Sequence, residues 1–166
     1  MTKITAIIPT LNEEIHIAEA IKSVSFADEI IVIDSFSIDK TLEIAAQFDV
    51  KIIKRKFDDF SSQKNFAIEQ ARHSWIYILD ADERVTPAVE KEILEAVKNP
   101  QDYVGFYVRR RFYFAGEVIN YCGWQRDKVI RLFLKEKCKY QGVVHETIVS
   151  DGEFGFFKNK IDHFGY

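Results

Sequence analysis

The chain is poor in cysteine and glycine, and each shortage excludes a class of protein. Its 166 residues include two cysteines, Cys122 and Cys138, and no CxxC pair. A disulfide between them is not expected in a chain of intracellular character, and a zinc site lacks ligands at the usual spacing. Glycine is absent before Gly105, which leaves no Gly-rich phosphate loop near the N-terminus. No apolar run approaches the ~20 residues of a membrane span. The opening Met1-Thr2-Lys3-Ile4-Thr5-Ala6-Ile7-Ile8-Pro9 is too short in apolar residues for a signal peptide. The net charge of −3 carries no global basic signature of a nucleic-acid binder. No repeat, low-complexity segment or Pro/Gly/Ser-rich linker interrupts the chain. These absences predict a soluble, cytoplasmic protein of one domain, and the hydrophobic fraction of 47% supplies it with an ordinary core.

What is present is alternation. Lys3 to Ile8 is a short apolar strand closed by Pro9. Asn12 is a good helix cap, with Glu13 and Glu14 in a first turn where the macrodipole favours acids. Ile15, Ala18, Ile21 and Val24 then recur at helical spacing. Glu29 to Ile33 reads as a second strand, followed by a helix containing Leu42, Ile44, Ala45 and Phe48. Val50 to Lys54 is a third strand, and Ser61 or Ser62 caps a helix carrying Phe66, Ala67 and Ala71. A fourth strand begins at Trp75. Thr86 and Pro87 open the next helix, which Asn99-Pro100 ends. Strand and helix thus alternate four times in residues 1–100, which predicts an α/β domain with a largely parallel sheet. After Pro100 the predicted strands (Tyr103 to Phe114, Lys128 to Leu134, Thr147 to Val149, Phe156 to Ile161) suggest mixed or antiparallel sheet. The chain is therefore one domain with two functional halves, 1–100 and 101–166.

In such sheets ligands bind beyond the carboxyl ends of the strands. The fourth strand ends in Leu79-Asp80-Ala81-Asp82-Glu83. Residues i and i+2 of a strand point the same way, so Asp80 and Asp82 can face one point. Two carboxylates about 4 Å apart repel by roughly 4 kcal/mol at an effective dielectric near 20. A divalent cation relieves that repulsion, and Mg²⁺ or Mn²⁺ takes oxygen ligands, commonly one or two carboxylates plus substrate phosphates. A polar turn leading into a helix accounts for the same residues.

Other polar groups have similar double readings. Asp34 at a strand end can meet a base or ribose, whereas Ser37 and Asp39 suit turns and caps. Lys64, in Gln63-Lys64-Asn65, is unfavourable in the first turn of a helix, which points to an anionic ligand or to a solvated face. Glu146, after Gly142-Val143-Val144-His145, is able to take a proton from an acceptor hydroxyl. Arg126 and Arg131 can offset phosphate charge. Arg109-Arg110-Arg111 and Lys51 through Lys56 suit an anionic partner or membrane surface, or the protection of strand edges.

Together these segments resemble the family 2 inverting glycosyltransferases of GT-A fold, in particular the bacterial enzymes that build lipopolysaccharide core. The matching residues are Ile7-Ile8-Pro9-Thr10-Leu11-Asn12-Glu13-Glu14, Asp34-Ser35-Phe36-Ser37-Ile38-Asp39-Lys40-Thr41, Gln63-Lys64-Asn65-Phe66-Ala67, Leu79-Asp80-Ala81-Asp82-Glu83 and Val144-His145-Glu146. They occur in the family's order and cover nearly the whole chain. The resemblance implies a Rossmann-like, mostly parallel sheet flanked by helices, with a mixed C-terminal part.

It also implies roles. Pro9, Asn12, Glu13 and Asp34 line the nucleotide pocket, with Asp34 close to the base. Lys64 orders the diphosphate. Asp80 and Asp82 form the DXD motif: Asp80 meets ribose or metal, and Asp82 the metal. His145 is a further metal or phosphate contact, and Glu146 the general base. The implied reaction is one inverting displacement, with Mg²⁺ or Mn²⁺ as cofactor. The donor is a nucleotide sugar, UDP-linked first among candidates, and the acceptor a glycan or lipid-linked sugar in cell-envelope polysaccharide synthesis. Peripheral association with the inner face of the membrane is a further expectation, and no nucleic-acid partner is expected.

Departures narrow the resemblance. Ser35 stands where many members carry a second Asp. Trp124-Gln125-Arg126-Asp127 does not fit the Gln-x-x-Arg-Trp motif of processive synthases. Relatives continue past Tyr166 with helical segments, so an incomplete acceptor side is expected. A nucleotide-sugar-binding module without transfer, or a sugar nucleotidyltransferase, are the competing readings. A haloacid-dehalogenase phosphohydrolase is disfavoured, because Arg84 stands where its Asp-x-Asp-x-Thr/Val motif needs Thr or Val.

Overall fold

The computed structural model describes residues 2–120 and 127–165. Cys122 and Arg126 lie outside the described residues. The element order is β1 (Ile4–Thr10), α1 (Ile17–Ser23), β2 (Glu29–Asp34), α2 (Thr41–Ala45), β3 (Lys51–Lys54), α3 (Phe60–Gln70), β4 (Trp75–Ile78), β5 (Glu83–Arg84) and α4 (Pro87–Lys98). It continues with β6 (Tyr103–Phe114), β7 (Glu117–Val118), β8 (Lys128–Leu134), β9 (Lys139–Gln141), β10 (Thr147–Val149) and β11 (Glu153–Phe164).

The main sheet has the order β3-β2-β1-β4-β8-β6-β11-β5. Its first four strands are parallel. β8 then runs antiparallel to both β4 and β6, and β11 lies parallel to β6. The largely parallel sheet expected of residues 1–100 and the mixed sheet expected after Pro100 both describe this arrangement.

Strand alternation sorts the core onto two faces. Ile4, Ala6 and Ile8 of β1 pack with Ile17 and Ile21 of α1 and Val89 and Ile93 of α4. Ile7, with Ile31, Ile33, Ile76 and Ile78, packs against Ala67 and Ile68 of α3 and Tyr140 of β9. Helices on both faces explain why β1 and β4 are buried along nearly their whole length rather than on alternate residues.

Several local expectations change. Asn12 does not cap a helix: its φ is 54°, and α1 begins only at Ile17. α3 is capped by Asp59, which accepts from the Ser62 amide, rather than by Ser61 or Ser62. Lys64 therefore lies beyond the first turn, where the dipole argument no longer applies. The arginines of β6 do not guard an edge, since β6 is paired on both sides, by β8 and β11. The lysines of β3 do lie on an edge strand. Thr86 caps α4 through the Val89 amide, with Pro87 opening the helix, as its sequence predicts.

Candidate active site

Loops at the carboxyl ends of β1, β2 and β4 meet at one rim. The first two are stitched together through their side chains. The Asn12 amide donates to Ser37 Oγ at 2.8 Å, and Asn12 Oδ1 accepts from the Ile38 amide at 2.9 Å. The Glu13 amide donates to Thr41 Oγ1 at 2.7 Å, and the Glu14 carboxylate accepts from the Lys40 amide at 3.0 Å. A left-handed Asn12 allows this, because its short polar side chain bonds locally in a conformation most residues avoid.

Asp34 lies beneath this rim with no exposed surface. Its carboxylate accepts from Thr10 Oγ1 at 2.9 Å, from Ser37 Oγ at 2.6 Å and from the Ser37 amide at 2.8 Å. The sequence placed Asp34 close to a base; in the structure its carboxylate is buried and bonded to the framework. The Thr10 bond ties this carboxylate to the end of β1, the two Ser37 bonds shape its own loop, and its neighbour Ser35 is the one that lines the cleft. Asn12 likewise serves the loop rather than the cleft.

The cleft has a volume of about 510 Å³. Pro9 and Glu13 line it together with Lys64 and Glu146, and the Asp80-Ala81-Asp82 turn is its floor. Phe57 and Phe60 stand at the mouth, edge to face with centroids 5.0 Å apart. Gln63 donates to Ser35 Oγ at 2.6 Å, while its buried Oε1 has no partner among the described residues. The sequence placed Pro9, Glu13, Lys64, Asp80, Asp82 and Glu146 in one site, and the fold brings these six together.

Acidic charge concentrates at the floor. Burial raises the carboxyl of Asp82, and Asp80 and Glu83 raise it further. Glu13 is raised in the same way, by burial and then by Asp82 and Asp80. No cluster of three or more His, Cys, Asp or Glu among the described residues makes a ready metal cage. Two mutually repelling carboxylates in an open cleft instead fit a hard cation that takes its remaining ligands from a diphosphate and water.

The floor itself is fixed from below, and Arg131, expected to offset phosphate charge, is bonded there to carboxylates instead. Glu83 is fully buried and accepts from Arg131 Nε at 3.0 Å and from a terminal guanidinium nitrogen at 2.8 Å. That same nitrogen reaches Asp80 at 3.1 Å. Arg110 stands 3.4 Å from Glu83 and is itself forked onto Asp127. Despite complete burial, Arg131 and the other cations hold the Glu83 carboxyl far below its ordinary value.

His163 of β11 lies 3.3 Å from Asp82 and 3.4 Å from Glu83. Burial would lower its imidazole pKa, but Glu83 and Asp82 more than reverse this and raise it. The Phe164 amide also donates to the Asp82 carbonyl at 2.8 Å. The imidazole beside the floor is thus His163 and not the expected His145. His145 is exposed in the loop before β10 and faces a second cleft of about 430 Å³. Arg131 forms the wall shared by floor and second cleft, where its guanidinium is committed to carboxylates. A signal for this arrangement existed in the sequence: an arginine inside the apolar run Val129-Ile130-Arg131-Leu132-Phe133-Leu134 needs a buried acid.

A parallel β/α half whose strand-end rim gathers acids and a lysine around one cleft defines the class of α/β protein. The model of Glycosyl transferase family 2 matches residues 5–162, and the chain belongs to that family. Among curated relatives, the chain is 30% identical over 159 residues to the lipopolysaccharide core biosynthesis glycosyltransferase LpsC of Rhizobium meliloti, covering 92% of this chain and 59% of that protein. It is 33% identical over 172 residues to the SPbeta prophage-derived glycosyltransferase SunS of Bacillus subtilis, covering 98% of this chain and 40% of that protein. The chain spans about half the length of the curated relatives it matches, between 51% and 59% of the first three.

Solved structures show the same GT-A fold. TarS of S. aureus aligns at a TM-score of 0.57 and 20% identity, over 72% of this chain and 23% of that one. Glucosyl-3-phosphoglycerate synthase of Mycobacterium tuberculosis, in complex with Mn²⁺, UDP-glucose and phosphoglyceric acid, aligns at 0.57 and 19% identity, over 69% of this chain and 45% of that one.

Proposed function

We propose that this chain is the donor-binding and catalytic part of an inverting glycosyltransferase of cell-envelope polysaccharide synthesis. It moves a sugar from a nucleoside-diphosphate donor, UDP-linked first among candidates, to a hydroxyl of a glycan or lipid-linked acceptor. The observation that carries this reading is the convergence of Asp80, Asp82, Lys64 and Glu146 on one cleft.

The residues divide the work. Ser35, Gln63, Phe57 and Phe60 offer hydrogen bonds and aromatic surface to a nucleobase. Asp82 and Asp80 are the residues that would hold Mg²⁺ or Mn²⁺, and the cation would supply positive charge to offset that of a diphosphate. Lys64 adds a second positive charge to the same cleft. Glu146 takes the proton of the acceptor hydroxyl as its oxygen bonds to the anomeric carbon. The bond from that carbon to the diphosphate oxygen breaks in the same displacement, and the configuration inverts. The second cleft, walled by Glu146, is the acceptor side. Peripheral membrane association draws on the basic edge strand β3 and on Ile15 and Ile38, which are 84% and 92% exposed on the stitched loops. No helix among the described residues is long and apolar enough to cross a membrane.

Calorimetry with UDP, GDP and dTDP, each with and without Mn²⁺, tests the reading on the wild type and on Asp82→Ala. One nucleotide is expected to bind in a metal-dependent manner, with at least about a tenfold loss in the variant, equivalent to roughly 1.4 kcal/mol. A folded wild type that binds none of the three would refute the donor site.

A further inference from the structure

Lys64 and Glu146 form an ion pair at 3.0 Å, and both line the donor cleft and the second cleft. The lysine side chain is 6% exposed and the carboxylate 24%. Their supports differ. Lys64 belongs to α3, and its ammonium also lies 4.8 Å from the centre of the Tyr140 ring. Glu146 belongs to a loop anchored at its root and exposed at its tip. Asn65 exchanges two hydrogen bonds with the Tyr140 backbone, at 2.9 and 3.0 Å. Ser61 Oγ donates to the Gly142 carbonyl at 2.6 Å. Val143, Val144 and His145, between that root and Glu146, are exposed.

A nearly buried ammonium needs an anion beside it. Among the described residues, Glu146 is the carboxylate that pairs with Lys64. A diphosphate offers the same ammonium more charge and more oxygens than one carboxylate does. In the paired state Glu146 is also a poor base: burial would raise its carboxyl, but the bond to Lys64 and that residue's charge lower it.

We propose that the donor's diphosphate displaces Glu146 from Lys64, so that donor binding releases the carboxylate into the second cleft. This rests on the donor-site reading above and adds to it a competition between ligand and base for one cation. No covalent bond changes: an ammonium–carboxylate contact is exchanged for an ammonium–phosphate contact. Before a donor arrives the base is neutralised by its neighbour. Once the donor is seated, the same movement of partners leaves a free carboxylate beside the acceptor side.

The test is calorimetry of UDP with saturating Mn²⁺ on wild type, Glu146→Gln, Lys64→Met and the double variant. Glu146→Gln, relieved of competition, is expected to bind UDP roughly five- to tenfold more tightly, within the usual size of a site–site coupling. Lys64→Met binds it more weakly, and in that background Glu146→Gln leaves the affinity unchanged. Uridine, which has no phosphate, binds wild type and Glu146→Gln alike. The uridine comparison needs no Lys64 variant, so the test stands even where Lys64→Met does not fold. Wild type that binds UDP, with an equal or weaker affinity in Glu146→Gln, would overturn the competition alone. Equal tightening with and without Lys64 would also overturn it, as a general effect of removing negative charge. A wild type that binds no nucleotide removes the donor site and this inference together.

Discussion

Arg131 lays its guanidinium along Glu83, with contacts of 3.0 and 2.8 Å, and extends one of the same nitrogens to Asp80 at 3.1 Å. The pair is nearly dry, with the arginine side chain 6% exposed and the glutamate 0%. Removing one partner strands the other's charge, and such losses typically cost about 3–5 kcal/mol. Arg131→Met is therefore expected to lower stability by about that amount in urea unfolding. The Glu83 carboxyl is depressed, so its contribution is full above its ordinary value of 4.5 and is lost progressively as pH falls from there through the depressed one. Wild type should keep this contribution in mild acid.

Asp34 is a framework acid. Asp34→Ala leaves the Thr10 hydroxyl and the Ser37 amide and hydroxyl without their acceptor. A cost of about 1–3 kcal/mol follows from leaving buried donors unmade. Thermal unfolding should show it, and UDP affinity should fall through loss of the rim. A variant that retained full stability but changed its preference among UDP, GDP and dTDP would return Asp34 to the base pocket.

The site's own carboxylates should cost stability. Asp82 has a raised carboxyl, chiefly through burial. A raised folded-state value means that protonation favours the fold: the stabilisation is full below the unfolded value and is lost as pH rises through the folded one. At neutral pH the ionised Asp82 is thus unfavourable. Asp82→Asn is expected to stabilise the metal-free chain by about 1 kcal/mol, in line with typical single stabilising changes. Added Mn²⁺ with UDP should raise the melting temperature of the wild type but not of this variant.

Gly142 sets the root of the Glu146 loop. Its φ is +107°, and an added Cβ would lie 2.5 Å from the His145 carbonyl oxygen. Gly142→Ala is expected to speed amide hydrogen exchange over residues 142–147 at least about tenfold, a local opening weaker by ~1.4 kcal/mol. Exchange in β1 and β4 should stay unchanged.

The strand–helix alternation was legible because each element carries its own period and punctuation. β6, β8 and β10 were readable from their apolar and aromatic runs, and α4 from Thr86-Pro87. The cleft was legible in part: strand ends of a parallel sheet converge, so acids placed there meet. Burial of individual acids was not legible. Asp34 and Asp80 both follow apolar strands, yet one is sealed by Thr10 and Ser37 while the other faces the cleft. That difference comes from loop packing 24 residues away in sequence. Asn12 was misread because a cap and a left-handed turn favour the same residue type. Arg110 was misread because three successive arginines look like a solvated run. On a strand their directions alternate, so the middle one points inward. His163 carried no signal, since only the β11–β5 register brings it to Glu83.

The strap that β11 places over the Asp82 turn has a consequence for how the protein is made. His163 and Glu83 are 80 positions apart. At about 5–20 residues per second, synthesis leaves roughly 4–16 s between them. During that interval the nascent chain already holds β1 to β4 and the whole Asp-x-Asp sequence, but neither the imidazole nor the Phe164 amide that fixes it. The cleft therefore matures late, after the sheet that carries it. A product of interrupted translation would contain the motif and most of the core without the geometry that makes the motif useful.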